Sequence, residues 1–175
     1  VGLGAHDVAR AADWVADRLR QCDLSVRVVS TPGHPVVVGR STEGQAPIDA
    51  PTVLFYGHYD VQPPDPLDQW TSPPFEPDIR DGAIHARGAS DDKGQVCCFL
   101  EALRAWRSIS KTLPCHVIAL IEGEEEVGSK HLPAMIDEIQ DDLRADIVLI
   151  SDTTMWDRET VAITFGLRGI VYFDL

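Results

Sequence analysis

The chain has 175 residues, 44% of them apolar and 25% charged, the proportions of an ordinary globular domain with room for a core. Its formal net charge of −13 argues against nucleic acid or an anionic membrane as a partner, because phosphate contacts need clustered Lys and Arg. No apolar run approaches the ~20 residues that span a bilayer.

In chain order, Val8, Ala12, Val15, Leu19 and Cys22 recur at three- and four-residue steps and predict an amphipathic helix over 5–22. Two short β-rich runs, 25–29 and 36–39, flank the turn sequence TPGHP and predict a hairpin. After a polar loop comes TVLFYGHYD, residues 52–60, whose consecutive Val53, Leu54 and Phe55 suit a strand covered on both faces. Residues 62–78 are rich in Pro and Asp and predict a long irregular loop, of the kind that is usually functional. A small hairpin is expected over 78–87, centred on Asp81-Gly82.

A helix over 93–109 would turn Val96, Phe99, Leu100, Leu103 and Trp106 inward, with Asp91 or Asp92 as its N-cap. The apolar strand 116–122 follows, then an acidic loop. Next comes a helix over 129–143 with Leu132, Met135, Ile136, Ile139 and Leu143 on one face and Pro133 in the first turn. A strand over 146–151 and a β-rich tail over 160–175 complete the reading. Strands alternating with helices predict an α/β fold with a mostly parallel central sheet and helices on both faces. Cys22, Cys97, Cys98 and Cys115 form no C-x-x-C pair and mostly fall at apolar positions. They read as buried reduced thiols of a cytoplasmic protein.

Three apolar strands end in acids or a histidine. Parallel in one sheet, they bring His58, Glu125, Glu126 and Asp152 to the carboxyl edge, where open α/β sheets bind ligands. His58 suits a zinc through one ring nitrogen, and Asp60, two residues on, can hold the other. Asp91 and Asp92 are adjacent where only one can cap a helix, which leaves the other free to bridge two metals. In Glu124-Glu125-Glu126, one Glu can bind metal while its neighbour serves as general base. Each has an ordinary reading as well: a satisfied core histidine, a helix cap, a solvated acidic loop, a turn aspartate. Together the five carboxylates Asp60, Asp91, Glu125, Glu126 and Asp152 would repel one another. A like-charged pair ~4 Å apart costs about 4 kcal/mol at an effective dielectric of ~20. Divalent cations neutralise that and suit mixed His and carboxylate ligands, so a di-metal centre is the expectation.

The segments GHYDV, RGASDDKG, IEGEEEVGS, ISDTTMW and ITFGLRG resemble the di-zinc metallopeptidase family of carnosinase, cytosolic nonspecific dipeptidase, succinyl-diaminopimelate desuccinylase and acetylornithine deacetylase, most closely its dipeptidase branch. The resemblance implies a three-layer α/β/α zinc-peptidase-like domain, incomplete here, with residues 1–166 its N-terminal part and 167–175 the start of a lid and dimerisation domain. It implies two Zn2+ ions: His58 and Asp152 would hold one, Glu126 the other, and Asp91 would bridge them. Glu125 would be the general base acting on a metal-activated water, with Asp60 behind His58 as part of the catalytic machinery. A non-proline cis peptide is implied at Asp91-Asp92. The implied activity is amide hydrolysis of dipeptides or small peptides by a homodimer. An N-acyl-amino-acid amidohydrolase with the same centre is the alternative, as is a non-catalytic fragment acting as an interaction module. The family's last His ligand has no counterpart here. The 175-residue chain itself is therefore expected to be inactive, with a depleted second metal site.

Overall fold

The structure is a computed structural model that describes residues 5–171 and 173. An amphipathic helix α1 (Ala5–Gln21) leads into an antiparallel hairpin of β1 (Ser25–Val29) and β2 (Val36–Arg40). The strand β3 (Thr52–His58) follows, then the long loop and a separate two-stranded hairpin, β4 (Asp78–Arg80) with β5 (Ala83–His85). Helix α2 (Lys93–Ile109), strand β6 (His116–Glu122), helix α3 (Leu132–Ile139) and strand β7 (Ile147–Ile150) complete the order.

The main sheet runs β1-β2-β6-β3-β7. Its pairings make β2 antiparallel to both neighbours and β6, β3 and β7 mutually parallel, so four of its five strands run the same way. Alternation along the strands splits the core in two. Val37, Phe55, Val117, Ala119 and Ile121 face α1 and α2 through Val15, Leu19, Val96 and Leu100. Val36, Val38, Leu54, Ile118 and Leu120 face α3 through Met135, with Leu132 and Ile136 partly buried beside it. These are the three layers expected. Fully burying a side chain such as Phe55 or Ile121 contributes about 1.5–3 kcal/mol relative to leaving it in water. Phe55 also stacks on Phe99 of α2 with ring centroids 4.0 Å apart.

The irregular 62–78 loop is folded on itself rather than loose. Trp70 Nε1 donates to Pro64 O at 2.7 Å, and the Arg87 guanidinium lies 5.2 Å over the Trp70 ring while donating to Pro63 O.

Several expectations need correction. Helix α3 begins at Leu132, not at 129, because Ser129 takes a left-handed φ of 49° after Gly128 at 87°. Its last turn, Gln140–Leu143, is 3-10. Trp106 is 40% exposed, its indole donating to Thr112 O at the end of α2 instead of entering the core. The last strand is not buried: β7 closes the sheet at its edge, and its four residues stay exposed. The β-rich tail forms no strand among the described residues 160–171 and 173, which pair with none of the sheet's strands. A β-prone sequence without a partner ladder has nowhere to place its backbone hydrogen bonds. Residues 172, 174 and 175 of that tail lie outside the described residues. All four cysteines are free, yet only Cys22 is buried and Cys98 is exposed.

Candidate metal centre

Because β3, β6 and β7 are parallel, their carboxyl ends meet at one edge, and His58 arrives there as the last residue of β3. Its imidazole is fully buried. Nε2 lies 3.0 Å from Asp91 Oδ1, 3.7 Å from Asp152 Oδ2 and 3.9 Å from Glu125 Oε2. On the other side Nδ1 faces Asp60 Oδ1 at 3.2 Å, off the line of a straight hydrogen bond. Asp60 in turn accepts the backbone N–H groups of Glu125 and Glu126 at 3.3 and 3.1 Å. One carboxylate thus connects the end of β3 to the acidic turn after β6.

Asp91 and Asp92 divide their work. Asp92 occupies the N-cap position of α2 but makes no side-chain cap. Its buried Oδ2 accepts the His58 N–H at 3.1 Å instead, while Oδ1 has no partner. Gly57 makes room for this, since a Cβ there would sit 2.7 Å from Asp92 Oδ2. Asp91, exposed, turns to the His58 ring. The Asp91-Asp92 peptide is cis, as the resemblance implies.

The electrostatics are those of crowded acids. Burial disfavours a charged imidazole, but Asp60, Asp92 and Asp152 outweigh it and hold the His58 pKa at about 9. Burial raises Glu125, with His58 opposing and Asp152 and Glu126 adding to the rise. Asp152 is raised for the same first reason, and Asp92 is pushed to about 6, chiefly by burial. Asp60 is lowered instead: its burial is outweighed by His58 and the Glu126 N–H.

A pH dependence follows for the metal-free chain. The folded His58 pKa of about 9 exceeds the ordinary 6.5, so its contribution is full below pH 6.5 and disappears as pH rises through 9. That window is worth on the order of 3 kcal/mol at a fully buried ring. Denaturant unfolding without metal should therefore show stability falling from pH 6.5 to 9, and His58→Ala should flatten the slope. An unchanged slope in the variant would assign the effect elsewhere.

Among the described residues, His58, Asp91 and Asp152 form the one trio whose ligand atoms all lie within 4.8 Å of one another. The donor set fits a metal such as zinc, which takes His nitrogen and carboxylate oxygen together. Glu125 stands at the rim of this trio. Glu126 does not join it: its carboxylate accepts the Gln62 N–H at 3.1 Å and Gln62 Nε2 at 2.7 Å.

Four features escaped the sequence reading. Asp92 acts as the anchor of His58, for which the doubled acid was the only signal. Gln62 holds Glu126, with nothing in QPPDP to mark it. The buried Glu124 binds His131 Nδ1 at 2.8 Å, so this acid is not part of a solvated loop. Lys93, its pKa lowered by burial, donates to Tyr59 O at 2.7 Å and fixes the backbone beside Asp60.

Comparison with known proteins places the chain in a family. Residues 54–166 match the family described as peptidase family M20/M25/M40. The Beta-Ala-His dipeptidase of Homo sapiens is 40% identical over 124 residues, 70% of this chain and 24% of that protein. The Cys-Gly metallodipeptidase dug1 of Schizosaccharomyces pombe is 35% identical over 147 residues, 82% of this chain and 30% of that one. Among solved structures, the M20 family metallo-carboxypeptidase Sso-CP2 from Sulfolobus solfataricus superposes with a TM-score of 0.78 at 33% identity, covering 85% of this chain and 33% of that chain. The chain belongs to the M20/M25/M40 peptidase family, and it spans about a quarter to a third of the length of these relatives.

Proposed function

We propose that this chain forms the metal-holding part of the catalytic domain of a zinc-dependent dipeptidase. The observation that carries the reading is the His58 Nε2, buried and ringed by Asp91, Asp152 and Glu125 at 3.0–3.9 Å. His58, Asp91 and Asp152 would hold one ion, and Asp91 with Glu126 a second. When bound, the metal acidifies the attacking water and polarises the carbonyl of the scissile amide.

The protein's own part is orientation and proton movement. Asp60, behind Nδ1, keeps the Nε2 lone pair turned toward the trio. Glu125 accepts the proton of the attacking water on its carboxylate and hands it to the amine that leaves. Its pKa, raised by burial, brings it closer to working pH, as a general base needs. Glu126 would have to release Gln62 to reach the second ion.

The second site has two ligands against three at the first, so the 175-residue chain on its own would be inactive and hold one ion. We assign residues 1–166 to the catalytic domain and 167–175 to the start of a lid through which the full-length protein would form a homodimer. The free thiols support a cytoplasmic setting, and among the described residues no helix is long and apolar enough to cross a membrane. The test is a substrate panel on the full-length enzyme. Dipeptides with a free amino terminus should be cleaved in preference to N-acyl amino acids. The reverse order would make the protein a deacylase.

A further inference from the structure

Glu122 ends β6 in register with His58, and its side chain is 1% exposed. A buried carboxylate is costly unless its oxygens are well bonded, and an apolar residue would pack there without that cost. Its Oε1 accepts two hydroxyl hydrogen bonds at 2.7 Å, one from Tyr56 of β3 and one from Ser129.

Ser129 closes the 3-10 turn that carries Glu125 and Glu126. Its N–H donates to Glu124 O at 2.8 Å, and it holds a φ of 49° that costs a non-glycine residue about 1 kcal/mol or more. Asp60 holds the start of the same turn by the N–H groups of Glu125 and Glu126. The turn is thus tied at both ends to the ends of β3 and β6. Neither tie uses the Glu125 carboxylate, whose Oε2 faces His58 Nε2 at 3.9 Å.

We propose that Glu122, steadied by Tyr56 and acting through Ser129, is a positioning residue that sets the Glu125 carboxylate for amide hydrolysis. The proposal rests on the dipeptidase reading above. A displacement of about 1 Å in a reacting group costs up to ~100-fold in rate, so a loosened turn should be read in kcat.

The experiment uses the full-length enzyme loaded with Zn2+, and it measures kcat, KM and the Co2+ affinity of the His58 site. Ser129→Ala and Glu122→Leu should each lower kcat about 10- to 100-fold, with KM and Co2+ affinity within about twofold of the parent. Glu122→Gln, which keeps an acceptor oxygen, should recover most of that loss. The double variant Ser129→Ala/Glu122→Leu should lose no more than the worse single one, because both remove one tie. Unchanged kcat in Ser129→Ala overturns the proposal, and so does a parallel loss of Co2+ binding, which would mean a general collapse of the site. His58→Ala separates the two levels. If it keeps both metal and activity, the dipeptidase reading fails and this inference with it. If it loses both while Ser129→Ala behaves as the parent, only the inference fails.

Discussion

Glu125→Ala is expected to lower kcat for dipeptide hydrolysis about 100- to 10,000-fold in the full-length enzyme while leaving its metal content unchanged. The reason is placement. Glu125 reaches the rim of the trio, its Oε2 3.9 Å from the histidine nitrogen; its backbone is held by Asp60, while its carboxylate accepts no hydrogen bond among the described residues. Burial raises its pKa above the ordinary carboxylate value, the direction that favours its taking and returning a proton. Glu125→Gln keeps the shape but cannot accept the proton, and should be nearly as slow. Glu126→Ala should differ in kind, depleting the second ion first and losing rate only as a consequence. Single-turnover hydrolysis with parallel metal analysis separates these outcomes. An active Glu125→Ala would remove it from the role of base.

His58→Ala is expected to weaken divalent-metal binding by more than about 100-fold, and Asp60→Ala by about 10- to 100-fold. Losing the carboxylate behind a ligating histidine already costs the smaller factor, so losing the ligand must cost more. The geometry sets the order: Nε2 is the only nitrogen in the trio, whereas Asp60 reaches the trio indirectly, through His58 Nδ1 and the backbone N–H groups of Glu125 and Glu126. Because a metal held by His58 would displace its proton, affinity should also rise with pH up to about 9. Titration calorimetry at several pH values reads both effects. Equal affinities for the parent and His58→Ala would place the ion elsewhere.

How much of this was legible beforehand depended on whether a residue's role is set locally. His58 and Asp152 end or follow apolar runs, and parallel pairing alone carries both to one edge. Asp91 could be singled out because two acids competed for one cap. The partner of Glu126 was not legible, since Gln62 meets it only after the chain has folded back from the end of β3. In the sequence Glu122 is simply the end of an apolar strand, and its bonds to Tyr56 and Ser129 depend on neighbours in β3 and in the turn before α3. The same tie explains the misplaced start of α3: Ser129 matched a helical pattern, but its hydroxyl was already committed to Glu122. Over the described residues 160–171 and 173 the β-prone pattern forms no strand, because propensity supplies no neighbouring strand.

The most direct test of the central claim is a count of tightly bound Zn2+ on the purified 175-residue chain, by calorimetry and metal analysis of the parent and of His58→Ala. One ion per chain, lost in the variant, is the predicted result. Two tightly held ions per chain, or one that survives His58→Ala, would contradict it.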